Sequence, residues 1–174
     1  ISMVRSDDSA DSAADEFFIL LKDYPRYNGS YAAFGKVTSG IEILEKIKSC
    51  GYPEVILQTN GRRLSKMSFA QQTADLNVVE YVISLHGMDE ETNTVITKAK
   101  GSFNQAVKGI QNVKSLGKKV RTNSVVSKDN LPYFEELVGV IIGLDVDHIN
   151  ISALHTAGTA FRNFDEVTPY YKDL

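Results

Sequence analysis

The chain carries one cysteine, no tryptophan, four prolines and three histidines in 174 residues, and each scarcity removes a class of protein. A single thiol, Cys50, cannot close an internal disulfide, which argues for a reducing, cytoplasmic setting. With His86, His148 and His155 scattered along the chain there is no zinc-ligand spacing. Neither a charged-then-apolar leader nor a run of about 18 apolar residues is present, so no membrane segment is expected. Basic charge is not in excess either. The 19 Lys and Arg stand against 22 Asp and Glu for a net charge of −3, which supplies no pull toward a phosphate backbone, and no nucleic acid partner is expected. The pairs Arg62-Arg63 and Lys118-Lys119 are too short and separated to make a nucleic-acid footprint. The acidic loop Asp7, Asp8, Asp11, Asp15 and Glu16 lacks the spacing and central glycine of a calcium loop. The sequence opens on an apolar ISMV rather than a methionine and a polar leader, so it is expected to be a piece of something larger.

What is present changes character near residue 48. Before it, the short apolar runs ISMV, FFILLK and AAFGKV are bounded by clusters of Asp, Ser, Pro and Gly, which predicts a short antiparallel, β-rich segment. After Gly51, apolar strands alternate with amphipathic helices. Strands are predicted at residues 54–60, 78–85, 119–127 and 148–154, and helices at 68–75, 102–117 and 131–144. In the second helix Phe103, Val107, Ile110 and Val113 recur at helical spacing, Ser102 suits an N-cap with Gln105 in capping-box position, and Gly117 follows as a stop. Pro132 stands near the start of the third, where its missing N–H is harmless. Strand, helix, strand in repetition predicts an α/β fold with about four parallel strands, a partial (βα) barrel or an open sheet, since four strands cannot close an eight-stranded barrel. The expected division is residues 1–48 and 49–174.

In either parallel architecture, ligands gather at the carboxyl ends of the strands. Those ends are predicted to carry Thr59, Asn60 and Gly61; Ser84, His86 and Gly87; Asn123 and Ser124; and Ser152 and His155. Each residue taken singly is an ordinary turn or capping residue. Short hydrogen-bonding side chains at all four ends together suggest a site.

The segments GYPEVILQTNGRRL, EYVISLHG, KGSFNQAVKGIQNVKSLGKKV, RTNSVVSKDN and HINISALHTAGTA, in this order, resemble the middle of a radical S-adenosylmethionine enzyme over residues 42–174. The resemblance implies a pocket for S-adenosylmethionine lined by Thr59 and Asn60, Ser84, Asn123 and the segment at Leu154, with His86 and His155 on the substrate side. It also implies a 4Fe–4S cluster held by the cysteines of a CxxxCxxC loop, and a glycine-rich GGEP-like segment. This sequence has neither, and its one cysteine lies at the amino end of a predicted strand, away from the expected site.

Residues 1–48 resemble the carboxyl-terminal half of a cyclophilin, a peptidyl-prolyl cis–trans isomerase, through ISM, the FF pair, AAFGKV and GIEILEKI. The resemblance places Phe18 at the floor of a proline pocket, Tyr27 and Tyr31 at its side and rim, and Arg5 along the groove, with a proline-containing peptide as the partner. The arginine and the FxxQGGD-type strand of the family's amino-terminal half are missing. The expectation is therefore a composite: an enzyme fragment joined to a partial cyclophilin, inactive as written, with sheet edges left open for self-association. The tract EILEKI fits both resemblances, and a junction there disturbs local pattern least.

Overall fold

A computed structural model describes residues 2–3, 17–18, 42–52, 54–154 and 162–170. The chain divides into two compact units, Ile1–Ile47 and Lys48–Leu174. In the first, strands β1 (Ser2–Met3) and β2 (Phe17–Phe18) pair antiparallel, Ser2 opposite Phe18 and Met3 opposite Phe17. Arg5, Tyr27 and Tyr31 lie outside the described residues, as do the side-chain surroundings of Phe18. Helix α1 (Glu42–Ser49) follows.

The second unit is built on a parallel sheet in sequential order: β3 (Val55–Thr59), β4 (Val78–Ser84), β5 (Lys119–Val126) and β6 (His148–Ala153). The expected four parallel strands are found, each within a residue or two of its predicted span. Helices α2 (Met67–Ala74), α4 (Ser102–Ser115) and α5 (Phe134–Gly143) occupy the connections, with 3₁₀ turns at Arg62–Ser65 and at Leu131–Tyr133, where Pro132 takes an opening position.

The spacing does not predict the helix after β4. Residues Glu90–Thr97 form α3, whose sequence EETNTVIT has only two aliphatic side chains and so offers little amphipathic pattern. Its signal is at the start. The Asp89 side chain accepts from Thr92 N at 2.8 Å while Thr92 Oγ1 accepts from Asp89 N at 3.2 Å, a reciprocal capping box. The box expected at Ser102 is absent: Gly101, in the left-handed region, is the N-cap of α4, and Ser102 points back to α3, accepting from Asn93 Nδ2 at 2.8 Å. The cap is supplied from elsewhere in sequence. Glu90 accepts from Gly101 N and, at 3.3 Å, from Asn104 N, and these bonds outweigh its desolvation and hold its carboxyl below the usual range.

The strand register explains where the core sits. Leu57, Tyr81 and Val120 share one row, and Thr59, Ile83, Thr122 and Ile149 share another. Tyr81, Ile83, Val120 and Thr122 are sealed on that face, while Leu64, Ala70, Ala106, Ile110, Val113, Leu137 and Ile141 are buried from the turns and helices; α4 lies against β4, β5 and α2. A buried phenol needs a partner, and Tyr81 has one: its hydroxyl meets Thr73 Oγ1 at 2.8 Å, and Thr73 in turn donates to Ala70 O.

Candidate functional site

The other face of the sheet has a different chemistry. Successive rows there read Gln58, Val82, Arg121 and His148, then Ser84, Asn123 and Asn150, then Val125 and Ser152. Gln58, His148 and Asn150 are exposed among the described residues. Parallel sheets normally bury both faces behind apolar side chains. This second face instead carries mostly polar side chains and stands open among the described residues.

At the amino end of this face, the Arg121 guanidinium grips the Glu80 carboxylate with Nε to Oε1 at 3.0 Å and Nη2 to Oε2 at 3.3 Å. The two charges cancel. Toward the carboxyl end lies a neutral network. Asn123 Oδ1 accepts from Asn150 Nδ2 at 2.7 Å and from Ser152 Oγ at 2.9 Å, which fills its acceptor and leaves its amide N–H groups as donors.

The segment after β4 is fixed at nearly every polar atom. Leu85 N donates to Asn123 O, and Ser124 Oγ donates to Leu85 O at 2.6 Å. Asn93 Oδ1, from α3, accepts from both His86 N at 3.0 Å and Gly87 N at 3.2 Å. Asn130 Nδ2 donates to His86 O at 3.0 Å and to Val125 O at 2.9 Å, while Asn130 Oδ1 accepts from Ser127 N. Gly87 is needed here because a Cβ would stand 2.1 Å from Asn93 N. The His86 ring turns to β5, where its Nδ1 accepts from Val125 N at 3.3 Å. Burial holds the imidazole below its usual pKa range, hence neutral.

The turn after β3 is made by the residues expected to bind there. Thr59 Oγ1 accepts from Gly61 N and Asn60 Oδ1 from Arg62 N, both at 3.2 Å. Gly61 has φ +72, and a Cβ on it would lie 2.7 Å from the Ile83 side chain. Helix α4 secures this turn: Gln105 Oε1 accepts from Arg62 Nε at 2.6 Å, and Asn112 Nδ2 donates to Leu64 O and Ser65 O at 2.8 and 3.0 Å.

Of the residues singled out in the sequence, Ser84 and Asn123 stand side by side on the open face, with His86 beyond Ser84 at the carboxyl end. Asn60 follows β3 in an exposed turn, and Leu154 follows β6, half-buried. Thr59 shares its row with Ile83 and Thr122 on the helix-covered face, so it shapes the turn from behind. His155 lies outside the described residues. Asn93, Asn112 and Asn130, buried and central to the geometry, escaped the sequence reading because a lone asparagine looks like a turn residue until its partners are known.

A metal centre finds little to hold it. Among the described residues no three His, Cys, Asp or Glu side chains come together in a metal-binding group. Cys50 is exposed and precedes the amino end of β3. The residues present do not fit a 4Fe–4S cluster, which takes several thiolates. Among the described residues no helix is long and apolar enough to cross a membrane.

Comparison with known proteins finds two kinds of relative. Residues 1–66 match the family model for cyclophilin type peptidyl-prolyl cis-trans isomerase/CLD. A probable GTP 3',8-cyclase of Sulfurisphaera tokodaii is 25% identical over 126 residues, 72% of this chain and 39% of that protein. Its counterpart in Sulfolobus acidocaldarius is 30% identical over 118 residues, 67% of this chain and 37% of that protein. Among solved structures, coproporphyrinogen III oxidase from Escherichia coli, a radical SAM enzyme, superimposes with a TM-score of 0.60 at 8% identity, over 76% of this chain and 32% of that one. Streptococcus suis SuiB bound to S-adenosylmethionine superimposes with a TM-score of 0.54 at 21% identity, over 66% and 26%. The chain spans 39% and 37% of the two cyclases it matches. The composite resemblance expected from the residues is thus found, and the sheet is an open arc of the (βα) barrel type.

Proposed function

We propose that the open face of the second unit is the S-adenosylmethionine floor of a radical S-adenosylmethionine enzyme fragment, joined to part of a cyclophilin. The observation that carries this reading is the aligned row Ser84, Asn123 and Asn150, in which the Asn123 side-chain oxygen is filled by Asn150 and Ser152 and its amide N–H groups remain as donors. Fixed neutral donors suit the hydroxyls and ring nitrogens of an adenosine, and they need no counter-ion on a face whose one arginine is spent on Glu80. Ser84 and Asn123 hold the ribose side, Asn60 closes from the β3 turn, and Leu154 lies along the adenine. Thr59 keeps the turn in shape.

When bound, S-adenosylmethionine supplies a sulfonium that the family cleaves with an electron from its cluster. These residues do not fit that cluster, so binding is the activity assigned to this chain as it stands. Calorimetric titration with S-adenosylmethionine tests it: saturable binding weakened at least about tenfold by Asn123→Ala, a loss of about 1.4 kcal/mol, supports the reading. Absence of binding overturns it. Anaerobic treatment with iron and sulfide is expected to give no cluster signal by electron paramagnetic resonance, and a signal would overturn the assignment of binding without turnover.

The cyclophilin match and the pairing of Ser2 and Met3 with the FF pair favour a second reading for residues 1–47, a proline-peptide surface at Phe18, Tyr27, Tyr31 and Arg5. Isomerisation must lower a barrier of about 18 to 20 kcal/mol, and the family's arginine-bearing half is missing from this sequence. Prolyl peptide cleavage in a protease-coupled assay is expected to run at the buffer rate.

A further inference from the structure

We infer that His86 is a fixed Nε2–H hydrogen-bond donor on the substrate side of this face, and that it selects a neutral carbonyl oxygen over an anionic group. Strand β5 runs three residues past the end of β4, to Val126, and the Val125 N–H in that overhang donates to His86 Nδ1 at 3.3 Å. A nitrogen that accepts cannot carry the ring proton, so in the neutral imidazole the proton resides on Nε2. The ring cannot readily swing away. Its main-chain N–H is held by Asn93, its carbonyl by Asn130, and the next residue is Gly87, pressed against α3 without room for a Cβ. Protonating Nδ1 would set two donors against each other at Val125. His86 therefore serves as a donor where a histidine at the edge of a site would otherwise be read as a base.

The surroundings decide which acceptor it takes. Asn123, two residues before Val125 on the same face and so about 7 Å along the strand, presents a second neutral donor. Arg121 is neutralised by Glu80, Lys119 and His148 lie at the amino end of the face, with Lys119 about 20 Å along β5 from Val125, and Lys128, beyond the carboxyl end, has its ammonium on Asp165 O and over the Tyr170 ring. An anion placed at His86 would lose its water without gaining a counter-charge, whereas a carbonyl oxygen gives up little and gains the bond.

The inference deepens the cofactor reading and rests on it, and its test reads the imidazole itself, so failed S-adenosylmethionine binding is a separate result. In the full chain with ¹⁵N-labelled histidine, His86 is expected to show a bare Nδ1 and a protonated Nε2. Titration with N-methylacetamide is expected to shift the Nε2 resonance saturably, and inorganic phosphate is expected to leave it in place. His86→Asn can keep an acceptor for Val125 N, but its amide donor stops short of the place of Nε2, so the N-methylacetamide response at the Val125 amide should weaken markedly. His86→Gln, with an amide donor on a longer stem, should recover part of it. A proton on Nδ1, a response to phosphate in place of the amide, or an undiminished response in His86→Asn would overturn the assignment.

Discussion

The side-chain carbonyl of Asn93 receives the main-chain N–H groups of both His86 and Gly87, at 3.0 and 3.2 Å, and so ties the end of β4 to a helix that begins only a few residues later. Asn93 is 2% exposed. Asn93→Ala leaves two N–H groups and the Ser102 hydroxyl short of a partner in a buried place, and should cost about 2 to 4 kcal/mol. Urea unfolding measures it. A loss under 1 kcal/mol would show that water replaces the amide.

Gly87→Ala forces a methyl to within 2.1 Å of the Asn93 main chain. Because the obstacle is backbone of a capped helix, relief requires α3 to move, and the expected cost is about 3 kcal/mol or more. Amide chemical shifts should change through Glu90–Thr97. Unchanged shifts with full stability would contradict the close approach.

Folding stability should respond to pH through His86. Its folded pKa is lowered by burial, so the unfolded chain takes up the proton first as pH falls. The contribution is complete above the ordinary histidine value near 6.5 and is lost as pH drops through the lower folded value. Unfolding free energies from pH 8 to pH 5 should fall more steeply for the native chain than for His86→Asn. Parallel curves would mean the imidazole titrates as it does in water.

Asn112 donates from α4 to two carbonyls of the turn after β3. Removing that donor with Asn112→Ala should cost about 1 to 3 kcal/mol and loosen the turn that carries Asn60. Faster hydrogen exchange at Gly61 and Arg62 is the expected signature, with weaker S-adenosylmethionine binding beside it.

Thr122 offers the opposite case. Its hydroxyl is buried on the covered face with no hydrogen-bond partner among the described residues. Thr122→Val keeps the shape and removes the unpaired group, so stability should rise by about 1 kcal/mol or more. Thermal unfolding would register it as a higher Tm, and a lower one would point to a partner such as water.

Much of the fold was legible in the residues. The runs around Val55, Val78, Lys119 and His148 are strand-like, and the Phe103 to Val113 spacing belongs to a helix that buries Ile110 and Val113. Helix α3 was not legible, because its stability comes from the Asp89–Thr92 box and from Asn93 and Glu90 bonding across to neighbouring loops rather than from an apolar stripe.

The site divides the same way. Sequence by itself determined that short polar side chains would end all four parallel strands, because alternation and strand length are local properties of a chain. Only the tertiary structure decided which of them share a face. Register sets Ser84 beside Asn123 and Asn150 and turns Thr59 to the covered side, since neighbouring strands must align in their hydrogen bonds before any row exists. It likewise decided that His86 is a donor, for the proton's place depends on a main-chain N–H 39 residues away.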